Sequence, residues 1–222
     1  MRIKNILIKL PEAIVTGWSE NVTAEQEADI TAAIHKAAAV VIGPGLGQEA
    51  GVERLLDLVL QEAKKLPELP VVIDADGLNL LAKKGLYSTL GRQYVLTPHL
   101  REMSRLSGKS VQEIADDMTS AVMGQQAGAT IVLKDARTLV SDGDWLYINL
   151  SGNSALSTGG SGDVLSGMIG GLLAQGCTQR TAATLAVYMH GLTAEQYCES
   201  APPHCMLARD ILEMIPKIGG NS

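Results

Sequence analysis

Pro70-Val71-Val72-Ile73-Asp74-Ala75-Asp76-Gly77 combines a short apolar run, rich in β-branched residues, with an acidic turn. Three other segments begin in the same way: Ala39-Val40-Val41-Ile42 before Gly43, Tyr94-Val95-Leu96-Thr97 before Pro98, and Thr130-Ile131-Val132-Leu133-Lys134. Continuous apolar runs of this length are typical of strands that are buried on both faces in a parallel sheet.

Longer stretches with helical periodicity surround these runs. They cover residues 23–38, 51–65, 110–127, 161–175 and 178–199. Residues 138–141 and 145–148, joined through Asp142-Gly143, are typical of an antiparallel hairpin. The sequence therefore predicts one α/β domain over residues 1–222. Its layers are α/β/α, doubly wound around a mostly parallel sheet with an antiparallel edge hairpin.

Composition excludes several classes of function. The net charge of −6, from 24 acidic and 18 basic residues, argues against a general nucleic-acid binder. The most apolar stretch, near residues 168–174, is interrupted by glycine and is too short to span a membrane. Charged residues interrupt the N-terminal segment, so we expect no secretory signal. Three cysteines without Cys-x-x-Cys spacing indicate reduced thiols and a cytoplasmic protein.

The longest motif that carries chemistry covers residues 153–167, from Asn153 to Gly167, with glycines at positions 159, 160 and 162. The apolar positions that follow have a helical period, so the motif predicts a glycine-rich turn at a helix N-terminus. Such a turn offers unpaired amides and a favourable dipole to an anion. Asp163 falls in the first helical turn, where it is suited to act as a base on an attacking hydroxyl. The alternative is that Asp163 only offsets the helix dipole.

Weaker candidates lie at the carboxyl ends of the other predicted strands, where open α/β sheets bind ligands. The turn from Gly43 to Gly47 is either a tight connection or a place where the backbone approaches a bulky ligand. Asp74 and Asp76 are helix caps or site residues, and Lys134 either binds phosphate or extends to solvent. His99 is assigned to the site, and His190 to packing near the pocket. The remaining histidines, His35 and His204, are assigned to the surface.

Several of these segments together resemble a known family. They are Gly43-Pro44-Gly45-Leu46-Gly47, Asp74-Ala75-Asp76-Gly77-Leu78-Asn79-Leu80-Leu81, Thr97-Pro98-His99 with Glu102, Lys134 to Thr138, and Thr158-Gly159-Gly160-Ser161-Gly162-Asp163-Val164-Leu165. In this order they are similar to motifs of the ADP- or ATP-dependent (S)-NAD(P)H-hydrate dehydratases, a family with a ribokinase-like fold. The similarity extends from about residue 12 to residue 216.

The resemblance implies a hydro-lyase that repairs nicotinamide nucleotides. Such an enzyme converts hydrated NADH or NADPH to the normal coenzyme and releases AMP or ADP and phosphate, with Mg²⁺ on the nucleotide. Asp163 would be the catalytic base. Gly45, Gly47, Asp74, Asn79, His99 and Asp163 would bind the hydrated coenzyme. The adenine nucleotide would contact Lys134, Asp135, Ala136, Arg137, Thr138, Asn153, Thr158, Gly159, Gly160 and Gly162.

The sequence departs from the family pattern in two places. The family has a further N-terminal unit of about 50 residues, a strand, turn and helix in βα order. This chain opens instead with Ile6-Leu7-Ile8, which indicates an N-terminally shortened domain. Asp135 stands where the family commonly has glycine, and its carboxylate would weaken phosphate binding unless it points away or meets a cation.

The resemblance leaves two other functions open, and it implies partners. A ribokinase-like kinase for a small vitamin alcohol would use the same Asp163 and anion site, and a nucleotide-binding protein without turnover would use the anion site alone. Relatives assemble as tetramers or larger homo-oligomers, and an epimerase would be the functional partner. The substrate is a small molecule, with no nucleic-acid or membrane partner expected.

Overall fold

The computed structural model describes residues 14, 18, 22–47, 50–123 and 128–218. The predicted segment Ile6-Leu7-Ile8 and the end of the predicted helix 110–127 lie outside these ranges. In chain order the helices and strands are α1 (Ala24–Lys36), β1 (Val40–Ile42), α2 (Ala50–Lys65), β2 (Val71–Ile73), α3 (Ala75–Lys84), β3 (Tyr94–Leu96), α4 (Leu100–Ser107), α5 (Val111–Asp116), α6 (Met118–Met123), β4 (Thr130–Leu133), β5 (Leu139–Ser141), β6 (Leu146–Ile148), α7 (Ser161–Ala174), α8 (Gln179–Cys198) and α9 (Ala208–Met214).

The strands of the described residues form one six-stranded sheet in the order β1-β2-β3-β4-β5-β6. The first four are parallel, and β5 and β6 continue the sheet as an antiparallel hairpin. In the register, Val72 lies between Val41 on β1 and Val95 on β3. The predicted mostly parallel sheet with an antiparallel edge hairpin is confirmed.

Alternating side chains divide the core between the two faces of the sheet. Val71 and Ile73 belong to a core shared with α1 to α6, whereas Val72 and Val95 belong to a core shared with α7 and α8. The three predicted layers are therefore confirmed, but the doubly wound topology is wrong. Each parallel strand adds to the same edge, so right-handed crossovers place all the connecting helices on one face. The C-terminal helices cover the other face.

The helix predicted over residues 110–127 is also wrong as a single element. Asp117 has φ −144° and ψ 74°, which ends α5. Its carboxylate accepts hydrogen bonds from the backbone N–H and the hydroxyl of Ser120, so it starts α6. A short acidic side chain that competes for backbone donors explains the break. The other four predicted helices match α1, α2, α7 and α8 within two residues at each end.

One glycine fixes how the end of β1 approaches the next strand. Gly43 has φ +128°, and a Cβ on it would lie 1.7 Å from the carbonyl oxygen of Asp74. Only glycine allows this contact, which brings the turn after β1 against the residue that follows β2. No helix in the described part of the chain is both long and apolar enough to cross a membrane.

Candidate functional site

A cleft of about 870 Å³ opens at the carboxyl ends of β2, β3 and β4. Its walls include Asp74 and Lys134, which directly follow β2 and β4, and His99, which lies three residues after β3. The loop 149–158 and the first turn of α7 complete the walls. His99 and Lys134 form a parallel β-bridge beyond the ends of β3 and β4. The sheet itself therefore sets the spacing of these side chains.

The start of α7 presents free backbone donors to the cleft. Gly160 is the N-cap residue, with φ +87° and no side-chain capping bond. The first amides of a helix have no partner within the helix. Those of Gly162 and Asp163 accordingly have no partner among the described residues, whereas the amide of Val164 bonds to Gly160. Amides and dipole together make this turn suited to an anion.

A buried ion pair lies beside these amides. Lys134 Nζ is 2.8 Å from Asp74 Oδ1, and the Asp74 side chain is only 1% exposed. A Cβ on Gly162 would lie 3.3 Å from Lys134 Nζ, so the ammonium group is at the first turn of α7. Lys134 thus does not extend to solvent. It places an ammonium group, paired with Asp74, beside the partial positive charge of the helix terminus.

Asp74 also holds the start of α3. Its Oδ1 accepts the N–H of Ala75, which has φ +47° in the left-handed region. A non-glycine residue in that region costs on the order of 1 kcal/mol and persists where its surroundings hold it. Asp74 Oδ1 therefore has two partners within the protein, Lys134 and Ala75. The substrate-binding role that the resemblance implies for Asp74 stays a prediction.

Asp163 differs from Asp74 in having no internal partner. It is exposed, it lines the cleft, and its carboxylate makes no hydrogen bond or ion pair with the described residues. It lies one residue after Gly162 in the first turn of α7. A free carboxylate beside an anion site can accept a proton from a bound hydroxyl.

His99 presents a fixed tautomer at the opposite wall. Its Nδ1 accepts the backbone N–H of Glu102 at 3.1 Å, while the backbone N–H of His99 donates to Glu102 Oε2 at 2.9 Å. Because Nδ1 is an acceptor, the ring hydrogen is on Nε2. The His99 side chain is half exposed in the cleft, and its Nε2 lies 3.5 Å from Glu102 Oε1.

The structure brings most of the predicted site residues to one place. Those that line the cleft are Asp74, His99, Lys134, Asp135, Ala136, Thr138, Asn153, Thr158, Gly162 and Asp163. Those that do not line it are Gly45, Gly47, Asn79, Arg137, Gly159 and Gly160. Gly159 and Gly160 flank it, between Thr158 and Ser161.

Two predicted coenzyme contacts have other partners. The N–H of Gly47 donates to Asp76 Oδ2 at 2.9 Å. The helix cap predicted at Asp76 is wrong, because the N-cap residue of α3 is Asp74. Asn79 lines a separate surface depression and accepts a hydrogen bond from Arg105 at 2.8 Å. The coenzyme-binding roles of Gly45, Gly47 and Asn79 stay predictions.

Other residues of the cleft were not predicted as site residues, although His190 had been assigned to packing near the pocket. They are Ala75, Glu102, Asn149, Ser151, Gly152, Ser154, Leu156, Ser157, Ser161, Leu165, Val187 and His190. Ser154, Ser157, Ser161 and Leu165 are inside the glycine-rich motif, so the motif itself was the signal. No spacing marked Asn149 or Ser151, because they reach the cleft only when the loop after β6 folds back against α8.

Nearly the whole chain is similar to known proteins of one family. The model of the NAD(P)H-hydrate dehydratase family matches residues 1–217. The ADP-dependent (S)-NAD(P)H-hydrate dehydratase of Neisseria meningitidis is 41% identical over 199 residues, which are 86% of this chain and 65% of that protein. The bifunctional NAD(P)H-hydrate repair enzyme Nnr of Coxiella burnetii is 38% identical over 82% of this chain and 36% of its own length.

Solved structures show the same fold. A ribokinase-like superfamily protein of Enterococcus faecalis has a TM-score of 0.84 and 29% identity, covering 97% of this chain and 72% of that one. The Bacillus subtilis ADP/ATP-dependent NAD(P)H-hydrate dehydratase, co-crystallised with ATP/Mg²⁺, has a TM-score of 0.76 and 30% identity, covering 97% and 74%. The predicted ribokinase-like fold is confirmed.

The match covers most of this chain but a smaller share of its relatives. The chain spans about two thirds of the length of the Neisseria protein and about a third of the Coxiella protein. The family model nevertheless matches far more than half of the chain. The chain belongs to the NAD(P)H-hydrate dehydratase family.

Proposed function

We propose that this chain dehydrates hydrated NADH or NADPH at the expense of ADP or ATP. One observation carries the proposal: free amides at the start of α7, the ammonium of Lys134 and the unpaired carboxylate of Asp163 share one cleft. The first two features suit a polyphosphate, and the third suits an alcohol. Membership of the dehydratase family supports the pairing of these two ligands.

The reaction assigns Asp163 to proton transfer. The hydroxyl oxygen of the hydrated nicotinamide ring attacks the terminal phosphorus of the nucleotide, and its proton passes to Asp163. The P–O bond to the leaving AMP or ADP breaks as the new one forms. Phosphate then leaves the ring carbon, driven by the ring nitrogen's electron pair, and loss of a proton from the adjacent carbon restores the dihydronicotinamide.

The nucleotide contacts complete the proposal. The phosphates would lie at Gly159, Gly160 and Gly162, whose amides stabilise charge that develops during transfer. Lys134 to Thr138, Asn153 and Thr158 would contact the rest of the nucleotide. His99 would donate from Nε2 to the hydrated coenzyme, along with Gly45, Gly47, Asp74 and Asn79.

The chain's own residues fit a nucleotide-borne Mg²⁺ better than a protein-held ion. In the described ranges no three His, Cys, Asp or Glu side chains come together as a metal site. Mg²⁺ commonly binds substrate phosphates with one or two carboxylates and water. Asp135, at the edge of the cleft, could contribute such a carboxylate. When bound, the ion would neutralise charge on the phosphates.

The cellular context is part of the same proposal. Cys177, Cys198 and Cys205 are free thiols, which supports a cytoplasmic location. Ile148, Leu150 and Tyr188 are exposed apolar residues near the sheet edge, which supports a homo-oligomer. Fusion of activities in the bifunctional Coxiella relative supports an epimerase partner. Residues 1–222 would form a single domain.

The experiment supplies hydrated NADH with ADP or ATP and Mg²⁺ and follows the absorbance of reduced nicotinamide. We expect recovery of absorbance and release of one phosphate for each NADH formed. Absence of recovery with either nucleotide, in protein shown to be folded by circular dichroism, would refute the proposal. Accumulation of a stable phosphorylated alcohol from a panel of vitamin alcohols would indicate a kinase instead.

A further inference from the structure

A segment in the middle of α8 contacts both walls of the cleft. On one side, His190 Nε2 lies 3.1 Å from the carbonyl oxygen of Ser161 and 3.2 Å from its hydroxyl. Ser161 is the first residue of α7 and directly precedes the free amides of Gly162 and Asp163. His190 is therefore connected to the anion site through one backbone group.

The geometry fixes what His190 can contribute. A carbonyl oxygen only accepts hydrogen bonds, so Nε2 carries the ring hydrogen. His190 is 7% exposed, and burial, assisted by the charge of Lys134, lowers its pKa to about 4. The ring is thus neutral near pH 7 and brings no charge to a bound anion. Its contribution is to hold the Ser161 carbonyl, and with it the first turn of α7, in position.

The other wall approaches α8 at the next residue. A Cβ on Gly191 would lie 2.1 Å from Ser151 Oγ and 2.6 Å from the Ser151 carbonyl carbon. Ser151 Oγ also donates to the carbonyl oxygen of Tyr188. The N–H of Gly152 donates to Glu195 Oε1 at 2.7 Å. Because Gly191 has no side chain, the loop that carries Ser151 and Gly152 can seat directly on the helix.

We infer that His190 is a positioning residue. It holds the first turn of α7 at a fixed distance from the loop that carries Ser151 and Gly152, and this distance determines the affinity of the cleft for a nucleotide. The inference rests on the proposed function. Binding sites need their donors held closely to the productive geometry, and small displacements are costly. Without the hydrogen bond from His190 to Ser161, we expect the amides of Gly162 and Asp163 to shift from the positions that bind the anion.

The test compares His190→Leu with His190→Gln. Leucine removes the donor, whereas glutamine carries an amide N–H at about the reach of Nε2. Leu185→Ala, at an exposed position of the same helix, is the matched control. Titration calorimetry with ADP and Mg²⁺ gives the dissociation constant, and turnover of hydrated NADH separates KM from kcat.

We expect His190→Leu to weaken ADP binding by about 10- to 100-fold. His190→Gln should recover most of the affinity, and Leu185→Ala should match the wild type. A folded His190→Leu variant that binds ADP as tightly as the wild type would overturn the inference alone. If the wild-type chain bound no adenine nucleotide, the proposed function would fail, and the inference with it.

A measurement on the wild type covers the case in which His190→Leu does not fold. In ¹⁵N-labelled protein, the histidine resonances report which ring nitrogen carries hydrogen. We expect the Nε2-protonated form for His190, and a shift of its signals on addition of ADP with Mg²⁺ that the exposed His204 does not show. An Nδ1-protonated ring, or no response to bound ADP, would contradict the inference.

Discussion

Acid should destabilise this protein through one buried histidine. His190 is 7% exposed, and burial lowers its pKa to about 4 from the ordinary 6.5. Between these two values the unfolded chain binds a proton that the folded chain does not. The free energy of unfolding therefore falls as the pH drops below about 6.5, and this contribution levels off below about pH 4.

The size of the effect follows from the two pKa values. One pKa unit corresponds to 1.36 kcal/mol, so a gap of about 2.5 units amounts to roughly 3 kcal/mol. A loss of this size is a large share of the 5–15 kcal/mol that stabilises a typical domain, as an order of magnitude. The effect should be readily visible between pH 7 and pH 4.

Urea denaturation followed by tryptophan fluorescence, at a series of pH values, measures this loss. In His190→Gln the histidine contribution is absent, so stability should fall by roughly 3 kcal/mol less over the same range. His204→Gln, at an exposed position, is the matched control. Equal pH dependence in His190→Gln and the wild type would refute the assignment of a neutral, buried His190.

Two further substitution pairs test the packing of α7 on β1 and the ion pair in the cleft. Gly170→Ala places a Cβ 2.3 Å from Val41 Cγ2 and should cost about 1–3 kcal/mol, whereas Gly171→Ala meets no atom within 4 Å and should gain up to about 1 kcal/mol. Thermal unfolding of both variants checks the sign, and equal effects would contradict the contact between α7 and β1. Lys134→Met should cost about 3 kcal/mol and weaken ADP binding, because it leaves the buried Asp74 carboxylate without its counter-charge. Adding Asp74→Asn should recover part of the stability but not the binding, as urea denaturation and calorimetry would show.

The strands were predictable from sequence because each is a continuous apolar run. Val71 to Ile73 and Ile131 to Leu133 are fully buried, and short β-branched runs of this kind are typical of strands buried on both faces of a parallel sheet. The order of the strands was not predictable in the same way. Whether a crossover adds to one edge or reverses depends on tertiary packing, which no local pattern encodes.

In the site, too, local motifs were predictable from sequence, whereas contacts between distant residues were not. Asp163 and Gly162 could be found because their motif is local, a glycine turn that runs into a helix. Lys134 could be placed near the site, but not its pairing with Asp74, because 60 residues separate the partners. The bond between His190 and Ser161 joins two helices and has no sequence signature either.

The most direct test of the site compares ADP affinity and turnover of hydrated NADH in Asp163→Asn. Asparagine has nearly the same shape but accepts no proton at neutral pH. If Asp163 is the base beside an intact anion site, ADP affinity should stay within about twofold while kcat falls by about 10²- to 10⁴-fold. Turnover near the wild-type rate, or a loss fully explained by weaker ADP binding, would contradict the account.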